Sequence, residues 1–414
     1  MRKGAITQIR IITGVVLLLA LVLVARLYYI QVAERHTYMS KAERQYVHTV
    51  EDLYSRGSIY FTTKDEDRVS AATIQAGYEL VMNPSRMVDV NAAYEELVKV
   101  VEIDRESFFS RADRSESVYQ VIKNQISTEQ ADVIEALGIP GIQMYRTQWR
   151  FYPGETLSAR TVGFVGQTAD SGDTLTGRYG LERYYEEVLA RDDSRLTINF
   201  FAEMFTNLGN VIFDNTESRT GDVVTSIEPT VSRMLDTQLK ETQEEWNSAI
   251  TGGIIMNPKT GEIIAMSAYP DFDLNHRTGA TMTDFRNPLV EDVYEFGSII
   301  KALTMAAGID AGAVSPATTY YDPGKLELDT YTIYNYDGKG RGTVNMQAVL
   351  NQSLNTGVAF VVDTMGKNAF RKYFKSLKFG SETGIDLPNE TYGLVSNLDS
   401  PRDIEYATAS YGQG

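Results

Sequence analysis

Hydrophobic positions fall in two patterns along this chain. The first is a block. Ile11 to Ala25 is almost unbroken apolar sequence, Arg26 interrupts it, and Leu27-Tyr28-Tyr29-Ile30 continues it. Written as a helix, Ile9 to Ile30 is roughly 33 Å long, enough to cross a bilayer. Arg2, Lys3 and Arg10 lie at its N-terminal side with no acid among them, which predicts a cytoplasmic N-terminus. Arg26 can snorkel to the far interface beside Tyr28 and Tyr29. A cleaved signal peptide is the competing reading, but Ala25-Arg26-Leu27-Tyr28 supplies no A-x-A cleavage site. The expectation is a short tail (1–8) and an uncleaved single-pass anchor (9–30), with the rest of the chain outside the cytoplasmic membrane.

After the block the pattern becomes periodic. Gln31 to Val50 reads as a polar helical stalk. Short β-prone runs follow, Ser58-Ile59-Tyr60-Phe61 and Tyr78-Glu79-Leu80-Val81-Met82, split by Arg56-Gly57 and Asn83-Pro84. Ala92 to Val101 and Thr128 to Leu137 have helical character, and Gly138-Ile139-Pro140-Gly141 ends that stretch. A second β-rich part begins at Ile142. From Gly221 the character changes: Asp222 to Ile227 reads as a strand. Pro229 opens a helix with Val231, Met234, Leu235, Leu239 and Trp246 near helical spacing. Gly253-Ile254-Ile255-Met256 and Glu262-Ile263-Ile264-Ala265-Met266 flank a turn at Asn257 to Gly261, a hairpin pattern. Strand, helix, strands, then helices predict an α+β fold with an antiparallel sheet covered by helices. The domains expected are a mixed α/β region over 31–219 and a second domain over 220–414.

Composition narrows the chemistry. With 43% hydrophobic and 23% charged residues, the 414-residue chain has ordinary globular make-up. A formal net charge of −16 argues against a nucleic-acid partner. There is no cysteine, which removes disulfides and thiolate catalysis, and His36, His48 and His276 are the only histidines. Zinc sites and Ser-His-Asp triads are therefore hard to build.

A serine can be activated without histidine, and one stretch has the means. Ser298 stands three residues before Lys301, the only such serine–lysine spacing in the chain. On a helix, positions i and i+3 share a face. Gly297 marks the helix entry, so Ser298 falls in the first turn, where free N–H groups favour developing negative charge. Ala302 to Ile309 is almost wholly apolar. Lys301 is therefore expected to be buried, with a lowered pKa that lets it take the serine proton. The alternative, a serine and a lysine on a solvated helix, has to be weighed against that apolar setting. A second polar cluster, Ser353-Leu354-Asn355-Thr356-Gly357, lies between helical pieces at Asn345–Leu350 and Val358–Met365. Alone it reads as helix capping; paired with the first cluster it reads as part of a site.

In that order the two clusters resemble the first two motifs, Ser-x-x-Lys and Ser-x-Asn, of penicillin-recognising serine enzymes, and the chain resembles class B penicillin-binding proteins. Gly261 to Met266 with Tyr269-Pro270-Asp271-Phe272-Asp273-Leu274-Asn275 is similar to the family's entry to its transpeptidase domain. Phe379-Gly380 and Thr383 to Pro388 resemble the region after the second motif, and Tyr411-Gly412-Gln413-Gly414 the approach to the third. Arg56-Gly57, Arg150-Phe151-Tyr152-Pro153 and Gly180-Leu181-Glu182 resemble landmarks of the pedestal domain. The departures are Phe296 where proline is usual, Ile299-Ile300 where Thr-Phe is usual, Arg160 where histidine is common, and Tyr60 to Lys64 in place of an Asp-Arg-Asn-Gly. The third motif, Lys-Thr-Gly, has no match after Ser353. Lys259-Thr260-Gly261 has the letters but precedes the nucleophile and reads as a hairpin turn. A chain truncated at its C-terminus is the expectation.

The resemblance implies a D,D-transpeptidase that cross-links peptidoglycan. Ser298 would be the nucleophile, Lys301 the base and Ser353 a proton relay, with Asn355, Thr356 and Gly357 in contact with substrate. One oxyanion donor would be the Ser298 N–H and the other would belong to the third motif's strand. The partners implied are stem peptides ending in D-Ala-D-Ala, β-lactams, the membrane and a SEDS-type glycan polymerase, with no metal or organic cofactor. A β-lactamase or carboxypeptidase of the same fold is an alternative that the long N-terminal region disfavours. An inactive scaffold or a β-lactam-sensing ectodomain is a second, and its scaffold form is disfavoured by the intact Ser298, Lys301, Ser353 and Asn355.

Overall fold

The structure, a computed structural model, describes residues 56–167, 175–191 and 220–414. The expected anchor and stalk lie outside the described residues. Among the described residues no helix is long and apolar enough to cross a membrane.

The chain divides into two compact units, and the division is not a single cut. Of the described residues, 59–71, 153–167 and 175–186 belong to the second unit together with 224–414, while 56–58, 72–152, 187–191 and 220–223 belong to the first. This division by contacts differs from a single boundary at 219/220. Periodicity reports on neighbours along the chain and is blind to the return of a distant segment.

In the first unit, β1 (Arg68–Met82, of which the part from Ala72 belongs here) is the central strand. The segments between its partners form helices α1 (Val90–Leu97), α2 (Arg105–Ala112) and α3 (Thr128–Ala136). Strands β2 (Gln120–Ile126) and β3 (Ile142–Phe151) both pair antiparallel with β1, β3 in unbroken register from Thr73↔Phe151 to Met82↔Ile142. Each helix starts at a side-chain cap: Asp89, Asp104 and Ser127 accept from Ala92 N, Ser107 N and Gln130 N. These caps satisfy orphan donors at the helix starts. Leu80 and Met82 of β1 meet Leu97, Phe108, Ile126 and Ile134 in one apolar cluster. Each such side chain contributes about 1.5–3 kcal/mol by leaving water.

In the second unit, α4 (Pro229–Trp246) lies on the hairpin of β4 (Thr251–Met256) and β5 (Ile263–Tyr269). Pro229 occupies the first turn, where its missing N–H costs nothing, and Glu228 caps Val231 N at 2.6 Å. The helix is as its spacing predicts, but not every spaced residue is inward. Leu239 is buried, whereas Met234 and Trp246 are exposed. The hairpin is also as predicted, and Gly261 closes its turn at φ +83°. The Lys259-Thr260-Gly261 triplet is therefore an exposed turn, as the sequence reading holds.

The remainder is helical around two short β pairs: α5 (Ile300–Asp310), β6 (Thr319–Asp322), β7 (Lys325–Leu328), β8 (Tyr331–Tyr334) and β9 (Gly342–Asn345), then α6 (Met346–Asn351), α7 (Asn355–Met365), α8 (Lys367–Ser376) and α9 (Asp403–Ala409). β6 pairs with β9 and β7 with β8, both antiparallel. Helix α7 is the hub. Val358 and Val361 join Val349, Ile404 and Ala407 in one apolar cluster, and Val362 joins Ile300, Phe370 and Tyr406 in another.

Candidate active site

Two chain segments meet at the polar cluster, and each is built from its local backbone. Gly297 has φ +62°, so the chain enters a 3₁₀ turn, Gly297–Ile299, that runs directly into α5. The helix entry at Gly297 is as expected, with Ser298 in the turn that precedes the regular helix. Ser298 is exposed and Lys301, one turn on, is 2% exposed. On the other segment, Ser353 has φ +54°, a left-handed conformation that costs a non-glycine residue about 1 kcal/mol or more. That bend ends α6 and lets α7 begin at Asn355 itself, earlier than the sequence pattern indicates.

The three expected chemical groups are brought together, in a different order of contact from the one expected. Lys301 Nζ donates to the Ser353 carbonyl at 2.6 Å and to Ser353 Oγ at 2.9 Å. Ser353 Oγ in turn donates to Ser298 Oγ at 3.0 Å. Among the described residues no hydrogen bond links Ser298 Oγ directly to Lys301 Nζ. The second serine bridges them, so any proton leaving Ser298 has a continuous hydrogen-bonded route to the amine.

The amine is prepared for that role by its surroundings. Burial lowers the Lys301 pKa from 10.5 to about 8, because a desolvated ammonium is disfavoured. No carboxylate pairs with it among the described residues; the Tyr411 ring centroid lies 6.0 Å from Nζ. Burial also pushes the Tyr411 phenol up, which keeps that neighbour neutral.

The segment after α9 holds the turn that carries Ser298. Gly297 N donates to Gly412 O at 3.0 Å, and Thr304 Oγ1 to Ser410 O at 2.8 Å. Gly412 has φ +75°, and a Cβ there would lie 2.5–2.6 Å from Gly297 backbone atoms. Only glycine allows that approach. The sequence reading marks Tyr411 to Gly414 by resemblance and gives it no contact with Ser298; nothing in its pattern announces one.

Asn355, Thr356 and Gly357 separate. Asn355 is half-buried and its Nδ2 donates to Tyr334 O at 2.8 Å. Thr356 and Gly357, expected with it as substrate contacts, are both buried. Thr356 Oγ1 donates to Asp322 Oδ1 at 2.8 Å, and a Cβ on Gly357 would strike Val349 at 2.5 Å. As residues 2 and 3 of α7 they face inward and lie beneath the site. Asp322 and Asn335, which hold Thr356 there, escape sequence reading. They sit in short runs whose polar letters look like turns.

Among the described residues no group of His, Cys, Asp or Glu could hold a metal ion. A buried lysine, a bridging hydroxyl and an exposed serine hydroxyl together form an apparatus for nucleophilic acyl transfer.

Comparison with known families places this apparatus in a class. Residues 251–414 match the penicillin binding protein transpeptidase domain, and residues 53–220 match the penicillin-binding protein dimerisation domain. The chain belongs to the class B penicillin-binding proteins and carries both domains. Among its relatives, stage V sporulation protein D of Bacillus subtilis is 26% identical over 95% of this chain and 60% of its own length. Peptidoglycan D,D-transpeptidase MrdA of Acinetobacter baumannii is 26% identical over 93% of this chain and 60% of its own length. The crystal structure of penicillin binding protein 2X from Streptococcus thermophilus superposes with a TM-score of 0.63 at 21% identity, over 87% of this chain and 56% of that one. The chain thus spans about 60% of the length of these curated relatives.

Proposed function

We propose that this protein cross-links peptidoglycan as a serine D,D-transpeptidase and is acylated by β-lactams. The observation that carries the reading is the unbroken Lys301–Ser353–Ser298 hydrogen-bonded chain within the transpeptidase match. Ser298 Oγ attacks the carbonyl of the penultimate D-Ala. With Lys301 neutral, through burial that lowers its pKa to about 8, and both hydroxyls turned toward it, the Ser298 proton passes to Ser353 Oγ as the Ser353 proton passes to Lys301 Nζ. The tetrahedral oxyanion is held by backbone N–H groups, that of Ser298 among them. Collapse breaks the peptide bond, and the leaving D-Ala amine takes a proton back along the same route. The amine of a second stem peptide then attacks the Ser298 ester and regenerates the serine. Asn355 hydrogen-bonds the substrate's backbone. A β-lactam follows the first half, its ring amide opening onto Ser298.

The block at residues 9–30 anchors the protein in the cytoplasmic membrane with its N-terminus inside, and the catalytic domain works outside. A SEDS-type glycan polymerase supplies the strands. The reading is supported by relatives named peptidoglycan D,D-transpeptidases. It is tested by labelling the full-length protein with a fluorescent penicillin. Labelling is expected in the parent and absent in Ser298→Ala; persistence in that variant would remove Ser298 as nucleophile.

A further inference from the structure

We infer that the segment Tyr334–Arg341, fixed by the buried carboxylate of Asp322, is a clamp that positions the Ser353 hydroxyl between Lys301 and Ser298. The inference rests on the acyl-transfer reading of that site.

Ser353 stands in a left-handed conformation and needs support on both sides. Helix α7, which follows it, has Leu354 at its N-cap, a residue with no side-chain oxygen. Asn335 supplies the missing acceptor from outside the helix: its Oδ1 accepts from Thr356 N at 3.3 Å, while the Thr356 hydroxyl gives its proton to Asp322. One residue earlier, Tyr334 O accepts from Asn355 Nδ2. On the other side of Ser353, Arg341 Nε donates to Gln352 Oε1 at 2.7 Å. Three consecutive ties thus bracket one serine, and all come from a single connection.

That connection is held by Asp322, which is fully buried. Its Oδ1 accepts from Gly324 N, Asn335 Nδ2 and Thr356 Oγ1, and its Oδ2 from Asn335 Nδ2 and Arg341 N, at 2.8 to 3.1 Å. A buried carboxylate is costly unless its acceptor sites are filled, and here they are filled by the residues that make the ties. Asn335 cannot turn its amide over without aiming Oδ1 at that carboxylate, so the oxygen facing Thr356 is fixed. Asp322, Asn335, Thr356 and Arg341 are positioning residues. They act on the reaction through Ser353, and Thr356 belongs to the site in this capacity.

The test measures the saturating acylation rate and the half-saturating concentration of a fluorescent penicillin with the full-length protein. Thr356→Val should lower the saturating rate at least tenfold and leave the half-saturating concentration within about threefold. Thr356→Ser, which keeps the hydroxyl, should recover the rate to within about twofold. Gln352→Leu, at an exposed position tied to the clamp through Arg341, should lower the rate about threefold, and Gln352→Glu, which keeps an acceptor oxygen, should restore it. Parent-like rates in both Thr356→Val and Gln352→Leu would overturn the clamp, as would Thr356→Ser being as slow as Thr356→Val. These outcomes, in a parent that labels and loses labelling in Ser298→Ala, overturn the clamp alone. A parent that takes up no penicillin, or takes it up equally in Ser298→Ala, overturns the acyl-transfer reading and the clamp with it.

Discussion

The two arms of the site are held in opposite ways. The Ser298–Lys301 arm is fixed by what is missing: Gly297 and Gly412 have no side chains, and their backbones meet at 3.0 Å. The Ser353–Asn355 arm is fixed by what is present, a buried network in which Asp322, Asn335 and Thr356 fill one another's hydrogen-bonding sites. The first arm presents an exposed serine hydroxyl and a desolvated amine, and steric fit serves both because it adds no polar group that could pair with the amine. The second must hold a serine in a strained bend with its hydroxyl aimed, and directional hydrogen bonds do that. A catalytic site can thus use tight packing where a pKa has to be shifted and polar networks where an angle has to be kept.

The comparison can be broken arm by arm. Lys301→Ala removes the proton acceptor and should slow penicillin acylation by about 10²–10⁴-fold, measured by stopped-flow labelling. Gly412→Ala places a methyl against Gly297 and occupies a positive-φ position. It should cost about 2 kcal/mol or more in urea unfolding and slow acylation as well, because the nucleophile turn must move. A pH series sharpens the electrostatic side. The acylating form has a neutral Lys301, so the rate should rise with pH to a plateau, with a midpoint near 8.

The same shift has a stability counterpart of definite sign. Lys301 has a lower pKa folded than unfolded, so between pH about 8 and 10.5 the unfolded chain holds a proton that the folded one has lost. Stability then increases with pH across that window. Below it the burial penalty is present in full, on the order of 3 kcal/mol. Relative to Lys301→Met, the parent should gain stability as pH rises from 8 to 10.5, and a constant difference would contradict the shifted amine. The smallest effect is expected at Lys259→Ala. That lysine belongs to the exposed hairpin turn, so labelling should be unchanged and stability should move by less than about 0.5 kcal/mol.

How much of this is legible in the sequence follows from the same contrast. The hairpin of β4 and β5, helix α4 and the burial of Lys301 one turn after Ser298 are read directly, because each rests on spacing within a few residues. The Lys259 turn is likewise separable from a catalytic motif by its place before Ser298 and between two β-prone runs. What escapes is whatever depends on distant chain segments. Ser353 as a bridge, and not only a neighbour, is set by a bend whose cost is met through Asp322 and Asn335. Asp322 at the end of β6 and Asn335 just after β8 are both buried, against the expectation that polar letters mark surface. Gly412 reads as loop glycine until its approach to Gly297 is seen. The threading of 59–71, 153–167 and 175–186 into the second unit leaves no periodic trace at all.

The most direct test of the central assignment is to locate the acyl group. The full-length protein is treated with penicillin, digested and mapped by mass spectrometry. An adduct confined to the peptide that carries Ser298, on Ser298 itself, is the predicted result. An adduct on Ser353 or on any other residue, with Ser298 unmodified, would contradict the assignment of Ser298 as nucleophile and Ser353 as its bridge to Lys301.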